Sequence, residues 1–104
     1  MAEKLKTYND LLKLIHDSER EYDFALIDKA YQLAYQMHGD QKRLSGAPYI
    51  SHPVAVACIL VELGMDSESV AAGLLHDVVE DTPVDLEQVR KMFGDEIANL
   101  TNGV

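Results

Sequence analysis

A chain of 104 residues suffices for one domain with one core, and its 47% hydrophobic content argues against disorder. The formal net charge of −9 repels a phosphate backbone, which excludes nucleic-acid binding by a broad basic surface. A small anionic ligand stays compatible if a metal and a few local basic residues supply positive potential.

The longest apolar run, Val54 to Val61, falls far short of the ~20 residues needed to span a bilayer. Cys58 is the single cysteine and cannot form an internal disulfide. Together with an N-terminus that lacks a signal-type pattern, this fits a soluble protein of a reducing cytoplasm.

Tyr8, Leu11, Leu12 and Ile15 recur at helical spacing, predicting a short amphipathic helix over about residues 7–17 with His16 as a surface residue at its end. A second helix is expected over about 23–38, its stripe formed by Phe24, Ile27, Ala30, Tyr31, Ala34 and Met37. Tyr31 and Tyr35 read as core and boundary packing. Gly39 supplies a stop. His38 is either a dipole-stabilised helix-end residue or a side chain projecting toward a site built from the next loop, and spacing does not decide.

That loop, Gly39 to Tyr49, carries the adjacent basic pair Lys42 and Arg43, followed by turn chemistry at Ser45-Gly46-Ala47-Pro48. It is a solvated connector or an anion- and base-contacting loop, since Arg offers both a flat stacking surface and a charge.

Ser51-His52-Pro53 opens a third helix over about 51–64, with Ser51 as N-cap and Pro53 in the first turn. It is apolar nearly all round, so it should be buried, with Cys58 a small hydrophobe. At that helix start the dipole disfavours imidazolium, which leaves His52 neutral and ready to bind a metal.

Ser67 is expected to cap a fourth helix over about 67–81, which Thr82-Pro83 ends. Taking His76 as zero, Asp77, Glu80 and Asp81 fall at roughly 100°, 40° and 140° around it, while Leu74, Leu75, Val78 and Val79 occupy the other side. Asp77 lies one turn from both other acids, and like charges at that spacing repel. All three sit near the helix C-terminus, where the dipole favours cations. A divalent ion held by imidazole and carboxylate would relieve both problems. An acidic helix end facing water is the plain alternative.

Asp85 with Gln88 reads as a capping box for a fifth helix over about 85–93, stopped by Gly94, and Asp95 caps a last segment over about 95–101. The elements sum to an all-α bundle of five to six helices packed around the third.

Several strings resemble the hydrolase domain of the RelA/SpoT-type stringent-response enzymes, a branch of the HD metal-phosphohydrolases. They are His38-Gly39-Asp40-Gln41-Lys42-Arg43, Ser45-Gly46, Pro48-Tyr49-Ile50-Ser51-His52-Pro53, Leu75 to Thr82, and Phe93-Gly94. The resemblance covers roughly Ile27 to Val104. It implies an HD-domain-like fold that removes the 3′-pyrophosphate from guanosine tetra- or pentaphosphate. By the same resemblance, manganese is held by His52, His76 and Asp77, Glu80 and Asp81 position and activate the attacking water, and Arg43 packs against guanine with Lys42, Leu44 and Ser45 beside it. Spacing alone leaves zinc or iron open.

Leu44 stands where many members have a basic residue and Ala47 where Glu is common. The family's fourth ligand, an Asp, is expected beyond Val104, so the chain reads as a domain truncated at its C-terminal side, with weak or no activity by itself. A cut edge that exposes apolar surface leaves homo-oligomerisation open. Beside the hydrolase stand two other readings: a non-catalytic nucleotide- or partner-binding module of the same fold, and an HD phosphohydrolase for another ester.

Overall fold

The computed structural model describes residues 7–39 and 49–102, and within them every regular element is a helix. The order is α1 (Tyr8–Asp17), α2 (Phe24–His38), α3 (Ser51–Glu62), α4 (Ser67–Asp81), α5 (Leu86–Phe93) and α6 (Asp95–Asn102). These bounds lie within a residue or two of those expected, and the all-α bundle stands.

Local chemistry explains most helix starts. Thr7 and Asp10 form a reciprocal capping box on α1, and Asp85 with Gln88 does the same on α5. Asp23 caps α2 by accepting from the Leu26 N–H.

Three expected caps are displaced: Asp95, expected to cap the last helix, is its first residue, and the Ala98 N–H donates to the Gly94 carbonyl ahead of it. Ser67 is the first residue of α4, and Asp66 is its cap, accepting from Ser69 N at 2.9 Å. The Ser67 hydroxyl instead accepts from the backbone N–H of Asp23 at 2.8 Å, tying α4 to the start of α2. Ser51 likewise lies inside α3. Ile50 takes the N-cap position in helical φ/ψ, without a side-chain cap bond, because the turn at Tyr49–Ile50 already coils.

The organising helix is α4 rather than α3. It packs against α2, α3 and α6, while α1 rests on α3 and α5 on α6. Its unbroken buried run Val70-Ala71-Ala72-Gly73-Leu74-Leu75 explains why: the small residues let neighbours close in on several sides. At Gly73 an added Cβ would lie 2.6 Å from Leu60 Cδ1, so α3 crosses closely here and that leucine tip would have to shift to admit a side chain.

The greasier α3 is buried on one face only, through Pro53, Val54, Ala57, Cys58 and Val61. Its Ile59 is 55% exposed and the adjoining Leu63 70%. Hydrophobicity all round did not buy burial all round, since among the described helices α4 and α1 supply the main cover of this one.

The α2 stripe is also narrower than expected, with Ile27, Ala30 and Ala34 buried, Tyr31 and Met37 packed at the core margin, and Phe24 half exposed. Tyr8 stacks on Tyr31 with centroids 3.7 Å apart and donates its hydroxyl to Asp28 at 2.5 Å. Burial, then that bond, pushes the Tyr8 phenol well above its usual pKa.

Candidate metal centre

The polar face of α4 near its C-terminus meets the N-terminus of α3. His52 enters from the first turn of α3, whose position Tyr49 helps fix: the His52 N–H donates to the Tyr49 carbonyl at 3.1 Å. At the other end, Thr82 adopts an extended conformation ahead of Pro83, and its hydroxyl donates to the Val78 carbonyl at 2.6 Å. The last turn of α4 holds no basic side chain.

Asp77 links the two helices. Its Oδ2 lies 3.4 Å from His52 Nε2 and its Oδ1 3.4 Å from His76 Nδ1, while His76 Nε2 stands 3.6 Å from Glu80 Oε1. Hydrogen bonds of good geometry run shorter. Separations near 3.4 Å are about those between neighbouring ligands around a small divalent ion with metal–donor distances of roughly 2.1 Å, but the two contacts of His76 use opposite ring nitrogens, of which a single ion takes one.

Donor atoms of His76, Asp77 and Glu80 all lie within 4.8 Å of one another. The mixed nitrogen and oxygen set suits a first-row divalent cation. Among the described residues the arginine ion pairs lie elsewhere, with Arg90 bridging Glu87 and Asp95. The site's carboxylates face imidazoles instead.

Of the expected ligands, His76 and Asp77 share one cluster with Glu80, while His52 lies outside that cluster and reaches it through its contact with Asp77. Glu80, expected to handle the attacking water, stands beside His76 within that cluster. Asp81 accepts a hydrogen bond from the Tyr49 hydroxyl. Lys42, Arg43, Leu44 and Ser45, expected to contact the nucleotide, lie outside the described residues.

Sequence reasoning gave Tyr49 no role and left His38 undecided. In the structure His38 is 1% exposed, and its ring stacks on Tyr49 with centroids 4.5 Å apart. Neither ring nitrogen has a hydrogen-bond partner among the described residues. A buried polar group left this way costs about 1–3 kcal/mol, so it is an informative exception. Burial pushes the ring's pKa below its ordinary value, while the charges of Asp77 and Asp81 pull the other way. The sequence signals for His38 were its place beside the loop that leads to His52 and at the head of a string that carries the resemblance.

A cavity of about 310 Å³ opens beside the cluster, lined by His52, His76 and Asp77 together with apolar Val56, Leu60, Ala72 and Leu100. Low-polarity walls strengthen the electrostatic interactions of charged groups next to them.

The family model for the HD domain matches residues 30–104. The chain is similar to a Synechocystis protein named probable guanosine-3′,5′-bis(diphosphate) 3′-pyrophosphohydrolase, with 54% identity over 79 residues, 76% of this chain and 10% of that protein. It is 44% identical over 97 residues to the bifunctional (p)ppGpp synthase/hydrolase SpoT of Escherichia coli, covering 93% of this chain and 14% of that one. A Streptomyces coelicolor protein named GTP pyrophosphokinase shares 47% identity over 97 residues, 90% of this chain and 12% of its own length.

One similar solved structure is described as a metazoan ortholog of SpoT that hydrolyzes ppGpp and plays a role in starvation responses. Its TM-score is 0.74 at 37% identity, over 82% of this chain and 50% of that one. The chain thus spans 10–14% of these curated relatives and half of the solved structure.

Proposed function

The chain belongs to the HD domain family, and we propose that it serves as the hydrolase domain of a guanosine polyphosphate 3′-pyrophosphohydrolase. The substrate would be guanosine tetra- or pentaphosphate and the products pyrophosphate with GDP or GTP. The observation that carries the reading is the His52–Asp77–His76–Glu80 chain of contacts across two helices, in a chain similar to proteins named for that activity.

A bound divalent cation, manganese in this reading, supplies Lewis acidity that makes water a competent nucleophile near neutral pH and screens charge on the departing pyrophosphate. His52, His76 and Asp77 hold it. Glu80, one turn from His76, accepts the proton of the attacking water. Asp81, oriented by the Tyr49 hydroxyl, fixes the direction of attack. Lys42 and Arg43, with Leu44 and Ser45, supply the charge and the stacking surface that hold the nucleotide. A cytoplasmic setting suits the lone cysteine, buried Cys58.

Turnover of the nucleotide by the whole protein, abolished by His76→Ala or Asp77→Ala, is the expected result. Normal turnover by either variant refutes the assignment.

A second reading, a nucleotide-binding module without hydrolysis, is favoured by one observation: a relative of comparable identity is named for the kinase reaction. Incubating the whole protein with nucleotide and manganese separates the two. Pyrophosphate release supports the hydrolase, and tight binding without release the module. Competing phosphate esters in the same assay test the substrate class.

A further inference from the structure

We infer that His38 is a positioning residue of the cation site, its ring nitrogens held ready for a water that bridges to the carboxylates of α4. The inference rests on reading the cluster as a cation site and adds a residue that the ligand set does not contain. It starts from a mismatch between place and partner. A histidine that ends a helix ordinarily turns outward, where solvent and the last carbonyls satisfy it. His38 ends α2 yet is buried, pinned face to face against Tyr49.

The carboxylates whose charges act on its ring are Asp77 and Asp81, both on α4. Asp81 is also the acceptor of the Tyr49 hydroxyl, so the stack and the hydrogen bond come from the same tyrosine. The imidazole is thereby fixed in orientation while both of its nitrogens stay unpartnered. Packing alone needs no nitrogen there, and a phenyl ring would fill the same stack. Buried nitrogens without protein partners are ordinarily satisfied by ordered water.

A water donating to Asp77 or Asp81 while bonded to His38 would fix which lone pairs those carboxylates turn toward His52 and His76. Groups that orient ligands in this way typically change metal affinity about 10–100-fold when removed. His38 thus restrains Asp77 through that water.

The test is manganese titration of the 104-residue chain by calorimetry, paired with thermal denaturation without metal. His38→Phe keeps the stack and removes the nitrogens. Its affinity is expected to fall about 10–100-fold while the metal-free Tm stays level or rises. His38→Asn places a polar atom near Nδ1 and His38→Gln one near Nε2, and recovery in either identifies the nitrogen that matters.

Affinity within about twofold of the original in His38→Phe, a loss matched by a drop in metal-free Tm, or recovery in neither amide variant overturns the inference. Asp77→Ala is the control. If it abolishes binding while His38→Phe does not, only the role of His38 falls. If the original chain and Asp77→Ala bind alike, or neither binds, the cation reading falls and His38 with it.

Discussion

The two ends of α4 solve the same problem in opposite ways. At its N-terminus Asp66 caps the helix and Ser67 receives the Asp23 N–H. Close by, Tyr22 donates to the Met65 carbonyl at 2.8 Å and Arg20 to the Gly64 carbonyl at 2.7 Å. Gly64 has φ +80, and an added Cβ would collide with that arginine, so the turn is built around the contact. Each of these polar groups has a partner, and every partner but that of Asp66, which is Ser69, comes from the α1–α2 connection.

At the C-terminus the accounting fails to close. Acids gather where the dipole prefers cations, imidazoles stand 3.4–3.6 Å from carboxylates, and His38 is buried with two idle nitrogens. The same helix thus carries a satisfied structural end and a frustrated end. Local rules broken without local compensation mark sites that another species completes.

The largest expected effect breaks the contrast at Asp77. Replacing it with Ala should lower turnover by the whole protein at least about 100-fold, since the residue joins both histidines. The metal-free chain should lose little stability, because a like charge near Glu80 and Asp81 is removed, a relief of about 0.2–0.5 kcal/mol. Pyrophosphate release and urea unfolding read the two quantities. A variant that unfolds in step with its lost activity would make the C-terminal end structural after all.

Tyr49→Phe is the next step down. It retains the stack on His38 and deletes the bond to Asp81, so turnover should drop about tenfold with little change in KM. A rise in KM alone would move Tyr49 from orienting Asp81 to binding substrate.

How far this contrast was legible in the sequence depends on which contacts make each end. The clustering of Asp77, Glu80 and Asp81 ahead of Pro83 is a one-helix property, and periodicity with dipole arguments found it. The partnership of His52 with Asp77 needs α3 to cross α4, and no spacing rule encodes a crossing. Only the resemblance joined them.

The displaced cap has the same origin. Asp66 and Ser67 are adjacent capping residues of nearly equal propensity, and the choice is made by the Asp23 N–H, 44 positions away. The centrality of α4 was hidden because α3 is the more apolar helix. What decided it was the compactness of Ala71-Ala72-Gly73, a feature of size that a hydrophobicity pattern does not weigh.

The satisfied end makes the converse prediction. Ser67→Ala strips the acceptor from the Asp23 N–H and should cost about 1 kcal/mol in chemical denaturation. Manganese affinity should not move. A loss of affinity without a loss of stability would mean that the two ends of α4 are coupled and the contrast is too sharp.

The smallest effect concerns charge rather than hydrogen bonding at the cap. Bonds from the Ser69 side chain and backbone hold the Asp66 carboxyl below its ordinary pKa of 3.8. A carboxylate lowered on folding contributes stability that is fully present above the unfolded value and is lost as pH falls through the folded one. Asn caps a helix about as well, so Asp66→Asn should lie within about 0.5 kcal/mol of the original at neutral pH. On acidification the two should converge, because only the original chain must take up a proton at this position. The measurement is the difference in unfolding free energy between the two chains, followed from neutrality to below pH 3.8. A difference that stays constant across that range would show that the carboxylate charge contributes nothing to this cap, leaving an amide-like hydrogen bond to account for all of it.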